Sequence, residues 1–170
     1  MIRAVLIDVG ETLVERISDR DIPLRSQSMT PFPDTDAALA EIRQAGYRVA
    51  AVSNTEQSGD DQLDDILTRA GLRRHFDALV TSISVGQRKP APAMYLKALE
   101  RLDCQPEEAV MVGDDARVDL AGATALGMAT VLVNRPGSKG PVAGIPATFV
   151  VTSLSGLPGL LARLSGTEGT

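Results

Sequence analysis

Short apolar runs recur along the chain, each closed by small or polar residues, and between them the apolar positions shift to a helical spacing. Ala4-Val5-Leu6-Ile7 leads into Asp8-Val9-Gly10-Glu11-Thr12-Leu13, and Tyr47 to Val52 ends in Ser53-Asn54-Thr55. Phe76 to Thr81 exits through Gly86-Gln87-Arg88 to Lys89-Pro90, and Ala109 to Val112 is broken by Gly113-Asp114-Asp115. Ala129 to Val133 and Thr148 to Val151 complete the series. Unbroken, partly β-branched runs of this length predict strands buried on both faces, as in a parallel sheet.

The intervening segments predict helices. Asp34 or Thr35 is placed to cap the first, with Ala37, Ala38, Ile42 and Ala45 as its apolar face and Gly46 as its stop. Asp60 to Ala70 carries Leu63, Ile66 and Leu67 before Gly71. A helix starting near Pro92 places Met94, Leu96, Leu99 and Leu102 on or near one face, and Arg117 to Leu126 and Leu157 to Leu164 give two more. Alternation of strand and helix implies right-handed crossovers and parallel pairing. The expected fold is α/β, a three-layer doubly wound, Rossmann-like parallel sheet.

Length narrows this to one domain over residues 1–170, since 170 residues bury one good core and are short for two. Glu15 to Phe32 is polar, carries Pro23 and Pro31, and reads as a loop with room for one short helix. The tail from Ser165 to Thr170 is expected to fray. A formal charge of −5 with no basic run argues against nucleic acid or an anionic membrane as the main partner. The single cysteine, Cys104, excludes an internal disulfide. No run is long enough to span a bilayer, and Met1-Ile2-Arg3 enters the first strand without a signal-peptide pattern, so a cytoplasmic protein is expected.

In open α/β sheets ligands bind outside the carboxyl ends of the strands. Asp8, Ser53-Asn54, Lys89 and Asp114-Asp115 each follow a different strand and would converge on that edge. Taken singly, each has a plain explanation. Asp8 would cap a helix, Lys89 would be a surface lysine, Ser53 and Asn54 would form a turn, and Asp115 or Asp119 would serve a helix start. Taken together, carboxylates with one lysine hold an anion only with a divalent cation, and an all-oxygen donor set selects Mg²⁺. With Lys89 and Mg²⁺ neutralising a phosphoryl group and Ser53 holding its oxygens, Asp8 can attack phosphorus in line. Water would then release the aspartyl-phosphate.

These residues resemble the motifs of the haloacid dehalogenase-like hydrolase superfamily. Leu6-Ile7-Asp8-Val9-Gly10-Glu11-Thr12 is similar to its first motif, hhhDxDx[TV], and Val52-Ser53-Asn54 to its second. Lys89-Pro90 is similar to the third, and Gly113-Asp114-Asp115 with Asp119 to the fourth, GDxxxxD. The resemblance implies Asp8 as nucleophile and Mg²⁺ ligand, the Gly10 carbonyl and Asp114 as further ligands, and Asp119 as an outer acid. It implies Asp115 as an additional ligand, Lys89 as the tether of nucleophile and phosphoryl group, and Ser53, Asn54 and Thr12 as substrate-binding residues.

Two departures from the pattern matter. The family's second aspartate, which protonates the leaving alcohol, is Gly10 here, and its loss costs roughly 10² to 10⁴ in rate unless Glu11 replaces it. Related members usually carry a helical cap after the first motif, whereas only the loop of residues 15–32 stands there, so a capless, open crevice is expected. An open crevice suits a phosphorylated small molecule or a macromolecular phosphoester, and a homodimer is compatible with it. The expected function is a Mg²⁺-dependent phosphatase. A weakly active phosphate- and Mg²⁺-binding protein and a haloacid dehalogenase are the alternatives.

Overall fold

A computed structural model of the chain describes residues 1–15 and 29–166. The expected loop of residues 15–32 therefore falls, over 16–28, outside the described residues, as do residues 167–170 of the expected tail. Strands β1 (Ala4–Ile7), β2 (Arg48–Ser53), β3 (Ala78–Thr81), β4 (Ala109–Gly113), β5 (Ala129–Val133) and β6 (Phe149–Val151) form one sheet in the order β3-β2-β1-β4-β5-β6. Every pairing is parallel. Strand order reverses at β1, so the crevice at its carboxyl end lies at a topological switch point.

The unbroken apolar runs have a direct cause in this architecture. Val5 and Ile7 of β1 enter one core, with Leu39 and Ile42 of α1 (Thr35–Gln44), Leu63 and Leu67 of α2 (Asp60–Arg69), and Leu157 and Leu161 of α6 (Leu157–Ser165). Ala4 and Leu6 enter the other, with Met94, Tyr95 and Leu99 of α4 (Pro92–Leu102) and Ala123 of α5 (Ala121–Ala125). Both faces of the strand are covered, so polar alternation has no place in it. The three-layer fold is as the sequence predicts.

Several local expectations are corrected. The buried face of α1 is Thr35, Ala38, Leu39 and Ile42, not Ala37 and Ala45, which are exposed. Asp34 stands at its N-cap but makes no capping bond, because its carboxylate is taken by Arg135 and the Leu154 amide. Leu96 on α4 is 46% exposed and lies off the apolar face. A short helix α3 (Ser82–Val85) follows β3 directly, capped by Thr81. The helix expected from Arg117 is two pieces, a π-helical turn Ala116–Leu120 and then α5. Ser165 belongs to α6 and is buried, its hydroxyl 2.9 Å from that of Tyr47. His75 is buried, with Nε2 2.7 Å from Asp36. Among the described residues no helix is long and apolar enough to cross a membrane.

Candidate active site

β1 is flanked by β2 and β4, with Ile7 paired to Ala51 and Val112, so the next residue, Asp8, leaves the sheet at its centre. The Asp8 amide donates to the Val112 carbonyl at 2.9 Å, one further rung that fixes where its side chain starts. The chain then folds back tightly. Leu13 and Val14 amides both donate to the Val9 carbonyl, Glu11 donates to Val14, and Glu11 adopts φ 62°. That left-handed conformation is uncommon for a residue with a side chain. The turn brings Thr12 back over Asp8, and its Oγ1 donates to Asp8 Oδ2 at 3.1 Å.

Asp8 Oδ1 faces Lys89 Nζ at 2.6 Å. Lys89 is only 4% exposed, contrary to the ordinary expectation for a lysine, and its ammonium also donates to the Val52 carbonyl at 2.6 Å. Its remaining partner is Asp119 Oδ1 at 2.8 Å. The Lys89 backbone is bracketed by Asn54, whose Oδ1 accepts from Lys89 N at 2.8 Å and whose Nδ2 donates to Lys89 O at 3.1 Å. Both polar atoms of the Asn54 amide thus serve to place Lys89. Ser53 ends β2 half-buried beside it. The Lys89-Pro90 peptide is cis, and α5 packs closely there. A Cβ on Gly122 would lie 2.1 Å from the Pro90 carbonyl oxygen, so only glycine fits this approach.

Gly113 ends β4 and Asp114 leaves the sheet next to Asp8. Carboxylate oxygens of Asp8, Asp114 and Asp119 lie within 4.8 Å of one another. Asp119 Oδ2 accepts from the Asp115 amide at 3.0 Å, and the Tyr95 hydroxyl donates to the Asp119 carbonyl at 2.8 Å. Asp115 does not join this group. Its Oδ1 caps the π-helical turn through the Arg117 and Val118 amides and its other oxygen meets Lys139.

Three carboxylates against one ammonium leave the site with excess negative charge. Burial, then Asp8, Asp119, Asp115 and Glu11, push the Asp114 carboxyl up to about 7. Burial likewise raises Asp119 although Lys89 opposes it. Burial alone would lower Lys89, yet Asp119 and Asp8 outweigh it and hold the ammonium charged well above its ordinary range. An all-oxygen cluster short of positive charge fits a hard divalent cation such as Mg²⁺.

Lys89 was legible in the sequence only through its companions, because residue type alone assigns it to solvent. The roles of Gly113, Gly122 and Tyr95 carried no signal beyond a glycine at a strand end, a glycine within a helix and an apolar face. Arg135 carried none.

A family model for haloacid dehalogenase-like hydrolases matches residues 2–127. A glyceraldehyde 3-phosphate phosphatase of Methanothermobacter thermautotrophicus is 39% identical over 108 residues, 62% of this chain and 46% of that protein. A phosphoglycolate phosphatase of Cupriavidus necator is 39% identical over 138 residues, 79% of this chain and 58% of that one. The chain therefore spans about half the length of these curated relatives. A crystal structure of an uncharacterized protein from Listeria monocytogenes serotype 4b superposes with a TM-score of 0.87 at 27% identity, covering 97% of this chain and 99% of that one.

Proposed function

The chain belongs to the haloacid dehalogenase-like hydrolases, and on that premise we propose that it is a Mg²⁺-dependent phosphatase acting on a phosphomonoester through Asp8. One observation carries the reading: a buried lysine bridges Asp8 and Asp119 while Asp114 stands beside them with no cation of its own in contact among the described residues. Asp8, Asp114 and the Gly10 carbonyl would hold the metal, with Asp119 behind them and Asp115 at the margin. Bound there, Mg²⁺ supplies charge neutralisation for the phosphoryl oxygens.

The chain's own residues do the rest. Lys89 and Thr12 hold one oxygen each of the Asp8 carboxylate, so its attack geometry is set before substrate arrives. Asp8 forms a new bond to phosphorus as the bond to the leaving oxygen breaks, and that oxygen takes up a proton. Water then attacks the aspartyl-phosphate at phosphorus, releasing inorganic phosphate and restoring the carboxylate. Ser53 contacts the phosphoryl group, Thr12, expected to bind substrate but fully buried, acts through the Asp8 carboxylate its hydroxyl holds, and Asn54 acts through the Lys89 backbone it brackets.

Gly10 cannot supply the proton for the leaving group. Glu11 is its proposed replacement, since it is the next residue and its side chain is long. Gly10 also favours a second reading, a protein that keeps the phosphate and Mg²⁺ site and turns over slowly. The dehalogenase alternative has less support, because a cluster of carboxylates drawing a cation has no use in it. Because the loop of residues 15–32 is too short for a helical cap, the crevice is read as capless and open to a phosphorylated small molecule or a larger phosphoester. The direct test is a screen of phosphorylated metabolites and phosphoproteins in Mg²⁺ and in EDTA, with Asp8→Asn as control. Turnover that needs both Mg²⁺ and Asp8 supports the reading, and metal-independent turnover surviving the substitution contradicts it.

A further inference from the structure

Arg135 follows β5, and its guanidinium meets Asp34, Phe32 and Thr12. Its side chain is 12% exposed. Its Nη1 and Nη2 reach the two oxygens of Asp34 at 3.2 and 2.9 Å, in a forked pair. The guanidinium stacks 3.9 Å over the Phe32 ring. Its Nη2 also donates to the Thr12 carbonyl at 3.1 Å. Asp34 is itself fixed by the Leu154 amide at 2.6 Å, which anchors the fork to the start of the last helical segment.

The Thr12 contact gives this arrangement its consequence. Thr12 is the residue whose hydroxyl holds Asp8 Oδ2, so one residue carries a bond to Asp8 on its side chain and a bond to Arg135 on its backbone. The turn between them contains Gly10, with no side chain to brace it, and Glu11 in a left-handed conformation. The turn's own backbone bonds run from the Leu13 and Val14 amides to the Val9 carbonyl and from the Glu11 amide to Val14, which leaves the Thr12 carbonyl to Arg135. An arginine suits the task because its planar fork serves the carboxylate and the carbonyl together, whereas a lysine is a point charge.

We propose that Arg135 is a positioning residue for Asp8, clamping the Thr12 backbone so that the Thr12 hydroxyl keeps the nucleophile aligned. The proposal rests on the phosphatase reading for its kinetic consequence and on the fold alone for its structural one. Removing Arg135 by itself strands the nearly buried Asp34 carboxylate, which costs stability whatever happens at the site. The informative variants are therefore Arg135→Met combined with Asp34→Asn, which removes the pair as a unit, and Arg135→Lys, which keeps a charge opposite Asp34.

Two readouts are taken on each variant in Mg²⁺. In p-nitrophenyl phosphate hydrolysis, kcat is expected to fall about 10- to 100-fold with KM within about twofold, the mark of lost alignment and not lost binding. In amide hydrogen exchange, the Glu11, Leu13 and Val14 amides are expected to exchange faster while those of β5 keep their protection. Folded variants with wild-type kcat and wild-type protection of the turn overturn the proposal. So does faster exchange spread over the whole chain, which would make Arg135 a general structural arginine. If the wild-type protein hydrolyses nothing, the phosphatase reading fails and the exchange measurement decides the positioning role alone.

Discussion

Gly113 and Asp119 share one corner of the structure: a Cβ on Gly113 would sit 2.4 Å from Asp119 Oδ2. The missing side chain at the end of β4 is the space in which the carboxylate that meets Lys89 is housed. A glycine here is required by packing, since its backbone does not need a positive φ.

Gly113→Ala is expected to push Asp119 away from Lys89. Overpacking of this kind costs about 1 to 3 kcal/mol, to be read from urea unfolding. Mg²⁺ affinity should fall as well, measured by calorimetry. A variant with wild-type stability and affinity would show that Asp119 can move without loss.

Gly10→Asp tests whether one missing acid limits the rate. A Cβ on Gly10 meets no atom within 4 Å, so the substitution is accommodated. Turnover of p-nitrophenyl phosphate is expected to rise by roughly 100- to 1,000-fold, the lower part of the range for a restored acid. Glu11→Gln in the natural chain is expected to lower it, and in the Gly10→Asp background to change little. Equal loss in both backgrounds would assign Glu11 a different task.

The raised Asp114 and Asp119 carboxyls give the metal-free fold a pH dependence of definite sign. Asp114 titrates near 3.8 when unfolded and near 7 when folded, and Asp119 shifts in the same direction. Between those values the folded chain binds more protons than the unfolded one, so stability falls as pH rises through this window. A cation that needs the ionised carboxylates reverses the loss. Thermal melting is expected to show a larger Mg²⁺-induced rise at pH 8 than at pH 5.5. An equal or larger rise at pH 5.5 would mean that the cation binds elsewhere.

The strands were legible because burial on both faces leaves a run of apolar residues with no alternation, as in Val49 to Val52. The positions of Asp8 and Asp114 followed from the strands they end, and that of Lys89 from the strand whose exit it lies on. Other features depend on tertiary partners that no local pattern records. Asp34 looks like a helix cap, yet a distant arginine claims its carboxylate. Asn54 looks like a turn or substrate residue, yet its amide is spent on the Lys89 backbone. The π-helical turn at Ala116–Leu120 shares its composition with an ordinary helix and sets where Asp119 points. Arg135 lies in a sequence, Asn134-Arg135-Pro136-Gly137, that reads as a surface turn, and only the fold brings Thr12 against it.

The claim that Asp8 is the nucleophile is tested most directly by trapping the covalent intermediate. The protein is mixed with a phosphomonoester in Mg²⁺ and quenched in acid, and the phosphoryl group is located by peptide mass spectrometry. Phosphorylation at Asp8 in the natural chain, and none in Asp8→Asn, is the predicted result. Mg²⁺-dependent hydrolysis that persists in Asp8→Asn, or a phosphoryl group recovered on another residue, would contradict it.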